Sequence, residues 1–141
     1  MMNISIIYWS GTGNTEKMAE CIAEGAKSAG ASVSLKNVSE ASTEDVLNAD
    51  VAILGCPSMG SEVLEESEFE PFMESLDSKI SGKKIGLFGS YGWGDGEWMR
   101  DWAERVKNNG ATLLEEPLII NEMPDAKGEA LCKELGEKLA K

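Results

Sequence analysis

The sequence predicts an α/β protein built on a doubly wound, five-stranded parallel sheet in the order 2-1-3-4-5, with helices on both faces. Three observations carry that reading. Short apolar runs alternate with segments whose apolar residues recur every three or four positions, so strand and helix follow one another along the chain. The links between them are short, and a parallel sheet meets that condition by using the helices as crossovers. The runs also differ in character. The first, third and fourth are apolar throughout, as strands covered on both faces must be, whereas the second and fifth are weaker and edge-like.

In chain order, Ile4, Ile6, Ile7 and Tyr8 form the first strand, and Ser10 to Thr15 a glycine-rich turn. Met18, Ile22, Ala26 and Ala29 then give the buried stripe of a helix, which Gly30 terminates. Val33, Leu35 and Val38 suggest a second strand at an edge. Thr43 to Leu47 is a short helix, and Val51 to Gly55 the third strand. Phe69, Phe72, Met73 and Leu76 line a helix that starts in acidic surroundings, which suit the positive end of its dipole. Ile85 to Gly89 is the fourth strand. Trp98, Met99, Trp102 and Val106 line a helix ending before Asn109-Gly110. Leu113-Leu114 and Leu118 to Ile120 read as one strand interrupted at Pro117, which an edge tolerates. Leu131, Leu135 and Leu139 mark a closing amphipathic helix. Residues 1–141 show no repeat, linker or low-complexity segment and are expected to form a single domain.

Composition narrows the chemistry. The 141 residues carry 13 basic and 25 acidic side chains, a formal net charge of −12, and no histidine. That sign argues against nucleic acid or an anionic membrane as partner, since both demand a basic face. Without histidine there is no Ser-His-Asp triad, no Cys-His pair and no histidine-based zinc site. Cys21, Cys56 and Cys132 lack CxxC spacing and read as small buried residues in a reducing compartment. The first apolar stretch lacks a basic leader and a cleavage site, and no apolar run is long enough to span a bilayer. A cytoplasmic monomer with no metal is expected.

In a doubly wound sheet ligands bind at the carboxyl ends of the strands, so the loops after strands one, three and four belong together. The first, Trp9 to Thr15, enters a helix N-terminus, where backbone N–H groups and the helix dipole suit a phosphate. Ser10, Thr12, Asn14 and Thr15 add polar donors around Gly11 and Gly13, with no cation among them. No Gly-Lys-Ser/Thr follows, and Glu16 stands where a dinucleotide fingerprint has its third glycine. A monophosphate held permanently fits better than a triphosphate with magnesium. The second loop, Cys56 to Glu62, offers the flexible side chain of Met59 and, at Gly60, a peptide free to adopt positive φ. The third, Ser90 to Glu97, sets Tyr91 and Trp93 among Gly92, Gly94 and Gly96 with little cover from neighbours. An indole so placed is expected to lie against something flat, whereas Trp98 and Trp102, four apart on a helix, belong to the core. A phosphate cradle plus a Met and a Trp able to sandwich a planar ring suits flavin mononucleotide, FMN.

Along its whole length the chain resembles the short-chain flavodoxins of anaerobic bacteria, the clostridial type. Three segments carry the resemblance: Tyr8 to Glu20, Glu62 to Phe72, and Gly89 to Gly96. The break at Glu116-Pro117 is too short for the insertion of long-chain members. The resemblance implies a flavodoxin-like fold and a non-covalently bound FMN. Ser10, Thr12, Asn14 and Thr15 would hold the phosphate, with Gly11 and Gly13 shaping the turn, and Ser58 would help it and the ribityl chain. Met59 and Trp93 would cover opposite faces of the isoalloxazine. Glu62 would accept a hydrogen bond from flavin N3, and the backbone of Gly92 and Trp93, within the Ser90-Tyr91-Gly92-Trp93-Gly94 loop, would serve the pyrimidine edge. Gly60 would supply the carbonyl that turns toward N5. Ser61 stands where close relatives in that group carry aspartate, leaving one negative charge fewer beside the redox centre.

The implied function is low-potential one-electron transfer, shuttling mainly between semiquinone and hydroquinone, with the Gly60-Ser61 peptide responding to N5 protonation. One carboxylate roughly 12 Å away, at an effective dielectric of about 40, opposes an anionic hydroquinone by about 0.7 kcal/mol. Glu62, Glu65, Glu66, Asp95 and Glu97 are the candidate contributors. The acidic cluster Glu62 to Glu70 would steer basic docking faces of redox enzymes. An FMN-dependent oxidoreductase of quinone reductase type is the alternative on this fold, but the chain has little extra sequence with which to build a second substrate pocket. A phospho-acceptor signalling domain needs acidic residues where this chain has Trp9-Ser10 and Cys56-Pro57.

Overall fold

A computed structural model of the chain describes residues 2–141. The elements are β1 (Asn3–Tyr8), α1 (Asn14–Ser28), β2 (Ser32–Asn37), a single 3₁₀ turn (Val38–Glu40), α2 (Thr43–Leu47), β3 (Val51–Gly55), α3 (Phe69–Leu76), β4 (Lys84–Tyr91), α4 (Glu97–Asn108), β5 (Thr112–Leu113), β6 (Leu118–Asn121) and α5 (Ala126–Leu139). The strands pair in parallel in the order β2-β1-β3-β4-β5, as the apolar ranking predicts. Instead of one interrupted fifth strand there are two short ones. β5 pairs with Lys84 and Ile85 at the start of β4, and β6 with Phe88 to Tyr91 at its end. The second pairing carries β4 two residues beyond the predicted Gly89, toward the carboxyl edge of the sheet.

Because side chains alternate across a strand, each central strand feeds two cores. Ile7, Ala52, Leu54, Ile85 and Leu87 face α3 and α4, where Phe69, Met73, Trp98 and Trp102 are buried. Ile4, Ile6, Val51, Ile53 and Phe88 face α1 and α5. Phe69 meets Trp102 edge-on, with ring centroids 5.3 Å apart. Arg105 of α4 forks onto Glu70 and Asp77 of α3 at 2.8 Å each, so this pair of helices is tied by charge as well as by packing.

Three details of the predicted stripes change. Val38 is buried, but in the 3₁₀ turn after β2. Ala29 is exposed at the end of α1, and Leu131 is 42% exposed. Instead Gly128, Cys132, Leu135, Gly136 and Leu139 form the buried face of α5. The reason is close approach. A Cβ at Gly25 would overlap the Lys133 carbonyl, and one at Gly136 the Ile22 carbonyl, so the α1 and α5 backbones touch where both side chains are missing. Cys21, Cys56 and Cys132 are buried and unpaired, and burial pushes the Cys132 thiol up to about 12. Among the described residues no helix is long and apolar enough to cross a membrane.

Candidate functional site

The carboxyl ends of β1, β3 and β4 open into a cavity of about 350 Å³. Its walls come from the three loops singled out by the sequence. Gly11, Thr12 and Asn14 stand on one side, Pro57, Ser58 and Met59 below, and Ser90, Tyr91, Gly92 and Trp93 opposite. Trp9 and Glu122 complete the lining. A larger hollow of about 560 Å³ runs along α4 beside the break between β5 and β6, and touches these loops only at Asp95 and Gly96.

The first loop is shaped by its own hydroxyl. Ser10 Oγ accepts from the N–H of Gly13 at 3.1 Å and of Glu16 at 3.2 Å, and Gly13 takes φ 96° to enter α1. No side chain caps α1 at Gly13. The N–H groups of Asn14 and Thr15 belong to a first turn that has no intrahelical acceptor. Thr15 itself is buried. Its Oγ1 lies 3.0 Å from Ser90 Oγ and accepts from the Ser90 N–H, tying the first loop to the end of β4. Ser10 and Thr15 therefore build the loop, while Gly11, Thr12 and Asn14 present it.

The second loop is a tight turn. Met59 and Val63 exchange two backbone hydrogen bonds of 2.9 Å, enclosing Gly60 at φ 49° and Glu62 at φ 56°. The Glu62 carboxylate accepts from the Gly96 N–H at 3.3 Å, at the start of α4, and lies under Gly94. One of its oxygens thus serves the third loop, and the residue is not on the cavity wall. Trp93 is 55% exposed and donates its indole N–H to the Gly60 carbonyl at 3.3 Å, bridging the second and third loops. Tyr91 packs against Trp98 with ring centroids 5.8 Å apart.

One polar atom in this arrangement lacks a partner. Ser58 is only 4% exposed, lies on the cavity wall, and its hydroxyl makes no hydrogen bond among the described residues. A buried hydroxyl without a partner costs about 1–3 kcal/mol. The sequence reading missed Trp9, Pro57 and Glu122. Trp9 folds over Gly11 and donates to Glu68 at 3.2 Å, a contact 59 residues away. Glu122 sits at φ 58° and donates its N–H to the Tyr91 carbonyl, a backbone state with no signal in the sequence.

Known proteins resemble the chain along nearly its whole length. The family model described as Flavodoxin matches residues 6–136. The chain is 57% identical to a flavodoxin of Clostridium beijerinckii, over 97% of this chain and 99% of that one. It is 54% identical to a flavodoxin of Megasphaera elsdenii, over 98% of each. The solution structure of two-electron reduced Megasphaera elsdenii flavodoxin superposes with a TM-score of 0.89, at 53% identity, covering 97% of this chain and 98% of that one.

Proposed function

The chain belongs to the flavodoxin family, and on that premise we propose that it carries electrons singly on a non-covalently bound FMN held in the cavity at the carboxyl edge of the sheet. Membership makes it an electron-transfer protein that uses a flavin rather than an enzyme with a substrate of its own. The unpartnered Ser58 hydroxyl carries the assignment of the cavity, because it offers a buried hydrogen bond on the wall that the first loop and Met59 also line.

The fit is chemical as well as spatial. The free N–H groups at the α1 N-terminus, with Thr12 and Asn14, would take the phosphate without any Lys or Arg on the wall. Ser10, Gly13 and Thr15 hold that loop in shape. Met59 and Trp93 would flank the ring, with Tyr91, Gly92 and Gly94 shaping the third loop beside it and Ser90 anchoring that loop to Thr15. The second oxygen of Glu62 would meet the ring's N3 edge. When bound, the flavin supplies one-electron chemistry.

The residues control that chemistry in two ways. The Gly60-Ser61 peptide would turn its carbonyl from the Trp93 indole toward N5, since glycine carries no Cβ to oppose positive φ; each such hydrogen bond is worth about 0.5–1.5 kcal/mol, so the exchange favours N5 only where that bond is the stronger. The surrounding carboxylates and the apolar cover of Met59 and Trp93 disfavour added negative charge, which lowers the second potential. Basic docking faces of redox proteins in the cytoplasm would be the partners. A potentiometric titration of the purified protein tests the reading. A yellow protein that binds FMN one to one and takes up two electrons in two separate steps is expected. A colourless protein that rejects FMN overturns it.

A further inference from the structure

The strongest buried charge near the cavity belongs to a residue outside its walls. Glu65 is 6% exposed, and its carboxylate accepts from the N–H groups of Ser67, Glu68 and Phe69 at 2.8–2.9 Å and from the Ser67 hydroxyl. Those N–H groups lie at the entry to α3, so this end of the helix is already satisfied by the protein itself. The backbone of Glu65 is engaged as well. Its N–H donates to Cys56 Sγ at 3.4 Å, and its carbonyl accepts from Glu70 at 2.8 Å.

These contacts close a loop. Cys56 follows directly on β3, and its carbonyl accepts from the buried Trp98 indole at 3.0 Å. Cys56 and Glu65 are therefore the two feet of the segment that carries Ser58, Met59 and Gly60; nearer the tip the Met59–Val63 bridge joins its two arms, and Ser58, Gly60 and Glu62 bond outward to Ser90, Trp93 and Gly96. One foot is fixed by the sheet, the other by the Glu65 carboxylate on α3. The same carboxylate orients Glu68, whose side chain accepts from Trp9 on the cavity wall. Removing the carboxylate loosens the Glu65 arm of the turn, held then by its backbone alone, and leaves the buried Phe69 N–H without its acceptor, while the hydroxyl-shaped first loop stays intact.

We propose that Glu65 is a positioning residue for flavin binding, clamping the Met59-Gly60 turn to the N-terminus of α3 so that Met59 meets the ring in one fixed geometry. The function rests on the FMN reading above, whereas the clamp itself can be read without flavin. A glutamine cannot replace the carboxylate, because one of its two terminal atoms only donates.

The test compares the full-length chain with Glu65→Gln and Glu65→Asp, titrated with FMN and with riboflavin. Because the clamp acts on the ring and not on the phosphate, Glu65→Gln is expected to weaken both ligands by about tenfold, leaving their ratio unchanged and shifting the gap between the two one-electron potentials. Glu65→Asp, which keeps the charge, is expected to fall between and to remain readable if the Gln variant does not fold. In the flavin-free protein, hydrogen exchange at the Met59 and Val63 amides should accelerate on either substitution. Unchanged exchange at those amides overturns the clamp, as does loss of FMN affinity with riboflavin affinity intact. A fall in thermal stability with both affinities and both potentials unchanged also overturns it, since that is a helix cap alone. If the unsubstituted chain binds neither ligand, the FMN reading fails, the positioning role fails with it, and the exchange measurement still decides whether the clamp exists.

Discussion

At the scale of single residues, the second loop holds two backbones in the left-handed region within three positions. Gly60 at φ 49° has open space where a Cβ would stand, so replacing it costs conformational rather than steric energy. Gly60→Ala is expected to destabilise the protein by about 1–2 kcal/mol in urea unfolding and to shift the gap between the two one-electron potentials of the FMN-loaded protein. An unmoved gap would remove the Gly60-Ser61 peptide from the redox chemistry. Two carboxyl groups make the molecule's stability sensitive to acid. Burial raises Glu65, but hydrogen bonds from Ser67, Phe69 and Glu68 outweigh it and hold the group below the usual carboxylate range. The Ser42 N–H and Lys36 do the same for Asp45 in the capping box of α2, against a smaller opposing effect of burial. Both pKa values are lowered on folding, so the stability they contribute is complete above the unfolded value of about 4 and is lost as pH falls through the folded values. The melting temperature is expected to be flat above about pH 5 and to fall below about pH 4, with a shallower fall in Glu65→Gln.

At the scale of elements, the α1–α5 contact is an exacting one, made backbone to backbone. Gly25 and Gly136 let two helix backbones touch, and a single methyl group at either has no room to enter. Gly25→Ala or Gly136→Ala should raise intrinsic helix propensity, yet overpacking of about 1–3 kcal/mol or more is expected to dominate and lower the melting temperature by several degrees. A stabilised variant would mean that the helices can slide apart. Neither glycine was legible in the sequence, because a glycine inside a helical stripe looks like a weak helix position until its partner helix is known. The same limit explains Leu131, whose spacing matches Leu135 and Leu139 although it is exposed. By contrast, α2 and β3 follow the predicted bounds at Thr43–Leu47 and Val51–Gly55, where local pattern and tertiary placement agree. In the site, Gly11, Thr12, Asn14, Met59 and Trp93 could be read from their loops. Trp9, Pro57 and Glu122 could not, since their placement on the wall depends on contacts and backbone angles set far along the chain.

At the scale of the whole molecule, the question is how much of the net charge of −12 acts on the cavity. Several carboxylates are already committed. Glu65 is buried against α3, Glu70 and Asp77 are paired with Arg105, and Asp95 with Arg100. Glu66, Glu97 and Glu122 remain exposed without a salt bridge among the described residues; Glu122 and the exposed Trp93 stand on the cavity wall, and Glu66 and Glu97 belong to the second and third loop regions. An exposed indole beside unpaired negative charge favours brief encounters with a basic partner, fast because the field steers and short because little area is buried. At about 12 Å and an effective dielectric of about 40, each exposed carboxylate contributes about 0.7 kcal/mol against added negative charge, which is on the order of 30 mV. Salt weakens that effect once the Debye length, about 10 Å at 0.1 M and about 3 Å at 1 M, falls below the separation. Two measurements should therefore move together as salt rises from about 10 mM to about 0.5 M. The rate of electron exchange with a basic redox protein is expected to fall by roughly tenfold or more. The second one-electron potential of the FMN-loaded protein is expected to rise by tens of millivolts. Glu122→Gln should reduce the salt response of the potential, because that carboxylate lies on the cavity wall, whereas Glu24→Gln, on the far end of α1 and paired with Lys133, should leave it unchanged. A potential indifferent to both salt and Glu122 would leave the acidic surface a matter of solubility and docking alone.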